Sequence, residues 1–204
     1  ILGRVNESLQ SVDRMRRRFD DAVTNLGELE IDNTLTNQEV LEVIQRGELL
    51  TRLANQVKTE ALKLGEDAGL IMIQIDSLES GVMNTLNLVL KDHLPVRKFR
   101  TTTKAINEIS ILSYDELNAI DFLGSVLFKL PLDDISVSKG YRVLARLPGL
   151  PENLHDQIIH KFKTLPKLLT ASPEKLFEVE GIGRSRAQQL RDYFDTLLKN
   201  IGFS

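Results

Sequence analysis

The fold of this chain is indicated most clearly near its C-terminus, by residues 179–187, which read Val-Glu-Gly-Ile-Gly-Arg-Ser-Arg-Ala. Two glycines flank one aliphatic residue, and a helical pattern lies on each side of them. The upstream helix is predicted to begin at Pro173, with Ser172 as its N-cap. The downstream helix is longer and is predicted to run to about Lys199. A glycine turn between two helices is therefore the feature around which the rest of the chain is interpreted.

The residue types in this stretch are suited to holding a phosphate group. A glycine has no Cβ, so it permits unusual backbone angles and lets phosphate oxygens approach the backbone N–H groups. The N-terminus of the following helix carries a partial positive charge, which favours an anion. Ile182 is expected to fill the core between the helices, while the two arginines attract the phosphate. The candidate DNA-binding residues are Gly181, Ile182, Gly183, Arg184, Ser185 and Arg186.

The same pattern occurs earlier in the chain, at a shift of 32 residues that pairs Gly149 with Gly181. A repeated unit of helix, glycine turn and helix predicts a tandem helix-hairpin-helix domain over residues 139–204. Such a domain contacts the DNA backbone and reads almost no base information. The alternative is a purely structural repeat, in which each glycine only ends a helix.

The earlier copy is less suited to binding a phosphate than the later one. Pro151, which has no N–H, stands where the later copy has Gly183, and Glu152 stands in place of Arg184. The later copy is therefore predicted to contribute most of the DNA affinity. Three further residues of the region are secondary DNA-binding candidates: Gly149, Lys139 and Arg142.

Residues 1–138 are predicted to form a helical scaffold. Residues 4–30 carry a heptad seam of apolar side chains on one long helix, with the basic residues 16–18 on a solvated face. Residues 36–39 form a capping box that begins a second helix, which Gly65 is expected to end. A third helix is predicted over about 70–90, closed by Pro95.

Shorter helices are expected over residues 96–138, one of them opened by a capping box at residues 113–116. Long helices with short links bury their apolar seams against one another. The predicted fold is therefore all-α, with no strand. It consists of an elongated antiparallel helical bundle, a spine, over residues 1–138 and the tandem helix-hairpin-helix domain over residues 139–204.

Composition supports this division and excludes several classes of protein. The chain is 42% hydrophobic and 27% charged, which is enough to bury a core. Residues 139–204 hold 11 basic and 7 acidic residues, whereas residues 1–138 hold 15 basic and 22 acidic ones. A basic end on an acidic body favours a nucleic-acid-binding module on a scaffold. Cysteine is absent, which excludes disulfides, thiolate zinc sites and thiol nucleophiles.

No catalytic, metal or cofactor site is predicted. The aspartate pairs at residues 20–21 and 133–134 are interpreted as solvated helix and turn residues. His155 and His160 lie five residues apart, not the four that would place two metal ligands on one helix face. No apolar stretch is long enough to span a bilayer. The chain begins at Ile1 without an export signal, which is interpreted as a cut inside a longer cytoplasmic protein.

A resemblance to a known family rests on the order of the motifs. The helical spine is followed by residues 138–144 (SKGYRVL), 147–151 (LPGLP) and 179–183 (VEGIG). This order resembles the C-terminal two-thirds of the bacterial DNA-integrity scanning family, DisA. Members carry an N-terminal diadenylate cyclase domain that condenses two ATP into cyclic di-AMP, with an Asp-Gly-Ala motif, an Arg-His-Arg motif and a divalent metal such as Mg²⁺. Neither motif occurs in this chain.

The resemblance implies a non-catalytic spacer and DNA-binding region of a DNA-damage-sensing cyclase. It further implies octamers formed through the cyclase domain, binding of branched or recombination-intermediate DNA that lowers cyclase output, and a cytoplasmic, nucleoid-associated protein. Two other interpretations of the residues stay open. One is a helical protein-interaction scaffold, and the other is an accessory helix-hairpin-helix domain of a nuclease or repair enzyme.

Overall fold

The computed structural model of the chain describes residues 1–95 and 101–200. Apart from one isolated bridge between Thr36 and Ile135, these residues contain no β-structure, so the all-α prediction is confirmed. Residues 96–100 of the predicted short-helix segment and residues 201–204 of the predicted C-terminal domain lie outside the described residues. The α-helices are α1 Leu2–Asp32, α2 Asn37–Ala61, α3 Ala68–Glu79, α4 Val82–His93, α5 Thr102–Ser110, α6 Tyr114–Asn118, α7 Ile120–Leu127, α8 Tyr141–Ala145, α9 Glu152–Phe162, α10 Leu165–Leu169, α11 Pro173–Phe177 and α12 Arg184–Asn200.

Helices α1 and α2 pack side by side as an antiparallel pair, because the apolar seam of α1 needs a partner. At one position of the predicted heptad seam the side chains are 1% exposed or less: Val5, Val12, Phe19 and Leu26. At the second position Ala22 is buried and the others are half-buried: Ser8, Met15 and Leu29. The capping box before α2 is confirmed, with the Thr36 N–H donating to the Glu39 carboxylate at 2.8 Å. Helix α2 ends at Ala61, however, and Gly65 lies inside a following 3₁₀ turn with φ +64°.

The single third helix predicted from the sequence is wrong. The structure has two helices, α3 and α4, separated at Gly81, which has φ +78°. Arg16 of α1 stabilises this break, since its Nη1 donates to the carbonyls of Leu78 and Ser80, each at 2.7 Å. Arg16 was expected on a solvated face, and instead it binds carbonyl groups that the end of α3 leaves without a helical partner.

A first hydrophobic core extends from α1 through α7, with Phe128 at its far end. The short helices predicted after α4 are confirmed as α5, α6 and α7, and α7 packs on α2. The capping box at α6 is also confirmed, because the Glu116 N–H donates to Ser113 Oγ at 3.1 Å and the Ser113 N–H donates to the Glu116 carboxylate at 3.2 Å. These helices widen the spine beside α2.

A second hydrophobic core lies in the C-terminal part of the chain, between Val143 and Phe194. It is built from two units that repeat along the sequence. Unit 1 comprises α8, α9 and the intervening turn 1, residues 149–151, while unit 2 comprises α11, α12 and the intervening turn 2, residues 181–183. Helix α10 joins them. The domain boundary at residue 138 and the identity of the units as helix-hairpin-helix motifs stay predictions.

Candidate nucleic-acid interface

The two glycines of turn 2 differ in their backbone angles and in the space around them. Gly181 has φ +86°, and a Cβ at this position would lie 2.7 Å from Leu154 Cδ2. Gly183 has no such positive φ, and a Cβ there would meet no heavy atom within 4 Å. The expectation that both glycines supply unusual backbone angles is therefore right for Gly181 and wrong for Gly183. What Gly183 supplies is open space at the start of α12.

Backbone donors without a helical partner lie directly after Gly183. Helix α12 begins at Arg184, and its first turn closes with the Ala187 N–H donating to the Gly183 carbonyl at 2.9 Å. The N–H groups of residues 184–186 precede that bond and have no partner within the helix. The backbone N–H of Ile182, a predicted DNA-binding residue, is not free for a ligand, because it already donates to the Val179 carbonyl at 3.0 Å. Its side chain is buried in the second core, as predicted.

Two guanidinium groups flank these N–H groups. The Arg184 guanidinium lies 5.3 Å from the centroid of the Phe177 ring, and it makes no hydrogen bond or ion pair with any described residue. Arg186 is half-buried, and its Nη1 donates a long hydrogen bond of 3.5 Å to the Gly181 carbonyl. Ser185 is exposed between them. Turn 2 therefore combines free backbone donors, two cations and room for an anion.

Two exposed acidic residues precede turn 2, and only one of them is paired with lysines. Glu180, directly before Gly181, makes no ion pair with any described residue. Glu178 accepts a hydrogen bond of 2.6 Å from Lys161 Nζ and lies 3.5 Å from Lys175 Nζ. The bond from Lys161 holds the pKa of this carboxyl below its usual range. A groove of about 910 Å³ begins at residues 178–180 and runs along α9 past Lys161 and Lys163. The negative charge of Glu178 is thus partly neutralised, whereas that of Glu180 is not.

Turn 1 has the same backbone but lacks the cations. Gly149 has φ +77°, and a Cβ there would meet nothing within 4 Å. Pro151 and Glu152 stand at the start of α9, so this helix end has one donor fewer and an acidic side chain. Leu154, which aligns with Arg186 of unit 2, is buried under Gly181. Gly149 is therefore accessible, but the positions that hold Arg184 and Arg186 in unit 2 hold no cation in unit 1. The exposed Arg146, three residues before Gly149, aligns instead with Glu178.

Arg142 is not at the surface, contrary to its prediction as a secondary DNA contact. Its side chain is 5% exposed, and Nη1 donates to Glu30 Oε2 at 2.8 Å. The other Glu30 oxygen lies 2.7 Å from His93 Nε2, and His93 Nδ1 lies 2.8 Å from Ser136 Oγ. This buried polar cluster joins α1, α4 and α8. The prediction that Arg142 contacts DNA is therefore wrong, because its guanidinium is buried against Glu30.

Lys139 is likewise engaged by the protein. Its Nζ donates to the carbonyls of Lys91 and Leu94, at 3.2 and 3.0 Å, at the C-terminal end of α4. Burial lowers the pKa of this amine. A lysine at a helix C-terminus satisfies carbonyls that have no helical partner. Lys139 therefore serves to attach unit 1 to the spine.

Asp92 is the residue of this joint that the sequence analysis missed. It is buried, and its carboxylate accepts three N–H groups at the start of α8, from Gly140 at 3.0 Å, Tyr141 at 2.6 Å and Arg142 at 3.1 Å. Burial, with the nearby charge of Glu30, raises the pKa of Asp92. No sequence signal pairs Asp92 with residues about 50 positions away. We call this carboxylate and the Glu30–His93–Arg142 cluster the joint.

The remaining polar candidates form no site. His155 Nε2 is buried without a hydrogen-bond partner, and burial lowers the pKa of its imidazole, while His160 is exposed. The pairs at residues 20–21 and 133–134 are exposed. In the described part of the chain, no group of three or more His, Asp or Glu residues could hold a metal ion. The helices of residues 1–95 and 101–200 include none long and apolar enough for a bilayer crossing.

Fold and site together define an all-helical protein in which a spine carries a compact repeat, with two arginines beside the second glycine turn. Comparison with known proteins gives the family. The family described as the DisA bacterial checkpoint controller linker region matches residues 1–127. The chain belongs to the DisA family.

Curated relatives extend the match over nearly the whole chain. The DNA integrity scanning protein DisA of Kineococcus radiotolerans is 32% identical over 206 residues, which cover 98% of this chain and 57% of the relative. The DisA proteins of Streptomyces coelicolor and Frankia casuarinae are each 33% identical, over 98% of this chain and 55% and 57% of the relatives. The chain thus spans little more than half the length of these relatives.

Proposed function

We propose that this chain is the DNA-binding and spacer region of a DNA-sensing protein, and that unit 2 holds a DNA phosphate at turn 2. The proposed ligands are the N–H groups of residues 184–186 and the guanidinium groups of Arg184 and Arg186. Such a site recognises the phosphate backbone and the shape of the DNA, with little base preference.

The observation that carries this proposal is that free N–H groups and two arginines lie together at the start of α12. The N–H groups of residues 184–186 have no partner within the helix, and the Arg184 guanidinium makes no hydrogen bond or ion pair with any described residue. Free N–H groups at a helix start favour an anion, and two arginines beside them add charge attraction.

The spine and unit 1 are proposed to hold unit 2 at a fixed position. The joint buries a carboxylate and an ion pair between the two cores, which fixes the orientation of α8 against α4. In the whole protein, we propose that DNA bound at turn 2, including branched DNA, lowers the output of a diadenylate cyclase that uses ATP and a divalent metal. Homo-octamers and a cytoplasmic, nucleoid-associated location belong to the same proposal.

The decisive experiment places one negative charge at equivalent positions of the two units. In Gly183→Asp the carboxylate occupies the proposed phosphate position, while in Pro151→Asp the same residue stands at the start of α9. Aspartate is favourable at a helix N-cap, so both variants should fold. Binding of labelled duplex and four-way-junction DNA is measured by fluorescence anisotropy between ~50 and ~200 mM salt.

The unchanged protein should bind duplex with a Kd of ~10⁻⁴–10⁻⁶ M, in the range of phosphate-dominated binding. Gly183→Asp should weaken binding more than tenfold, about 1.4 kcal/mol, whereas Pro151→Asp should change it little. Equal losses in both variants would contradict the assignment to turn 2. No binding by the unchanged protein at ~50 mM salt would leave the protein-interaction scaffold as the better interpretation.

A further inference from the structure

Phe177 is an exposed aromatic residue that does not belong to the second hydrophobic core. It is the last residue of α11, and 46% of its surface is exposed. Buried aromatic rings stabilise a core, but an exposed ring gains little from the hydrophobic effect. One described cation lies over it, the Arg184 guanidinium, at 5.3 Å from the ring centroid. This distance is within the range of a cation–π interaction.

Arg184 has its hydrogen-bonding groups free for a ligand. The Arg184 guanidinium lies over the ring of Phe177, and a cation–π contact leaves its N–H groups available for hydrogen bonds. The acidic neighbour Glu178 is held by Lys161 and Lys175 and does not pair with Arg184. An exposed arginine without a partner samples many rotamers, and ordering it on binding costs free energy. Stacking on Phe177 reduces that cost in advance.

The repeat provides an internal comparison. At the shift of 32 residues, Phe177 aligns with Ala145 of unit 1 and Arg184 aligns with Glu152. Unit 1 thus lacks both the ring and the cation, although its turn glycine has nearly the same φ. The ring is present only in the unit whose arginine needs to be oriented, which indicates that the two residues serve one purpose.

We propose that Phe177 is a positioning residue for DNA binding, which holds the Arg184 guanidinium with its N–H edge directed at the phosphate bound to turn 2. This inference rests on the proposed function. Phe177 itself contacts no phosphate and acts through Arg184. A cation–π pair at an exposed site contributes ~0.5–1 kcal/mol, which corresponds to about a two- to fivefold change in affinity.

A double-mutant cycle tests the pair. The variants are Phe177→Leu, Arg184→Gln and the two combined, with Phe177→Tyr as the conservative rescue, and the measurement is the Kd for a labelled duplex. Tyr114→Leu is the matched control, because Tyr114 is 54% exposed and Arg52 lies 5.2 Å from its ring centroid, far along the chain on the spine. It removes the same kind of stack away from turn 2.

Phe177→Leu should weaken binding about two- to fivefold, Phe177→Tyr should restore it, and Tyr114→Leu should leave it unchanged. In the Arg184→Gln background, Phe177→Leu should have no further effect. Losses that multiply in the double variant, or unchanged binding by Phe177→Leu, would overturn the positioning role while leaving the proposed function intact. Absence of DNA binding by the unchanged protein would overturn both.

Discussion

Units 1 and 2 repeat one backbone design, but the surrounding side chains direct them to different tasks. Both turns contain a glycine with positive φ, +77° at Gly149 and +86° at Gly181. In unit 1 the start of the first helix faces inward, where Arg142 and the N–H groups that begin α8 bind carboxylates of the spine. In unit 2 the polar groups at turn 2 face solvent. One copy of the repeat is thus a structural attachment, and the other is free to hold a ligand.

This comparison shows why a repeat in sequence does not by itself assign a function to both copies. The residue that aligns with Arg186 is Leu154, and its side chain packs beneath Gly181 of the other unit. Unit 1 therefore supplies packing at the position where unit 2 supplies charge.

Breaking the joint should cost the most. Arg142→Met removes one partner of a buried ion pair and leaves Glu30 without its guanidinium, which should lower the free energy of unfolding by ~3–5 kcal/mol. Arg146→Met removes the same charge from an exposed position of unit 1. Urea denaturation of both variants measures the difference. Equal midpoints for the two variants would show that the joint does not stabilise the protein.

The two turn glycines should differ in their tolerance of a side chain. Gly149→Ala forces an alanine to adopt a positive φ, although its Cβ lies in open space, and should lower the free energy of unfolding by ~1 kcal/mol. Gly181→Ala adds a Cβ 2.7 Å from Leu154 Cδ2 as well, so its cost should rise to ~2–3 kcal/mol. The midpoints of urea denaturation compare them. A larger loss at Gly149 would contradict the close packing between units.

The salt dependence of DNA binding should depend on unit 2. Arg184→Gln combined with Arg186→Gln removes the two proposed phosphate contacts, and each lost contact should reduce the slope of log K against log salt by ~0.9. Arg14→Gln with Arg18→Gln removes the same charge from exposed positions of α1. Salt titrations of both double variants provide the test, and a similar loss of slope in the α1 variant would place the contacts elsewhere.

Unit 1 should also make stability depend on pH. Burial lowers the pKa of His155 below 6.5, so protons bind more readily to the unfolded chain as the pH falls. The contribution of neutral His155 to the free energy of unfolding is complete above pH 6.5 and is lost as the pH falls below it. The difference in denaturation midpoint between the unchanged protein and His155→Gln should therefore shrink at acid pH. The exposed His160→Gln is the control, and the same pH trend there would refute the explanation.

The smallest effect is expected at the start of α9. Glu152→Ala removes an exposed carboxylate directly after turn 1, where no phosphate is proposed to bind. DNA affinity should stay equal or rise by no more than about twofold, since an exposed charge acts weakly at a distance. Anisotropy titration at ~50 mM salt measures it. Abolished binding would mean that unit 1 contains the DNA site.

Much of the fold follows from local patterns that the sequence carries on its own. The heptad seam of α1, the capping boxes at Thr36 and Ser113, and the glycine turns were all predicted and observed, because each depends on residues a few positions apart. The break between α3 and α4 was not predicted, since apolar residues continue with helical spacing on both sides of Gly81. The carbonyls that this break frees are bound by Arg16, which lies more than 60 positions earlier.

The candidate site depends on neighbouring residues, whereas the joint depends on residues far apart in the sequence. The glycines of turn 2 and the two arginines of the following helix can be recognised from the sequence, because they lie within one short segment. The burial of Arg142 depends on the packing of distant helices, since its partner Glu30 lies 112 residues away and no spacing rule relates them. A buried charge requires a specific partner, and the partner is supplied by the packing of helices rather than by neighbours along the chain.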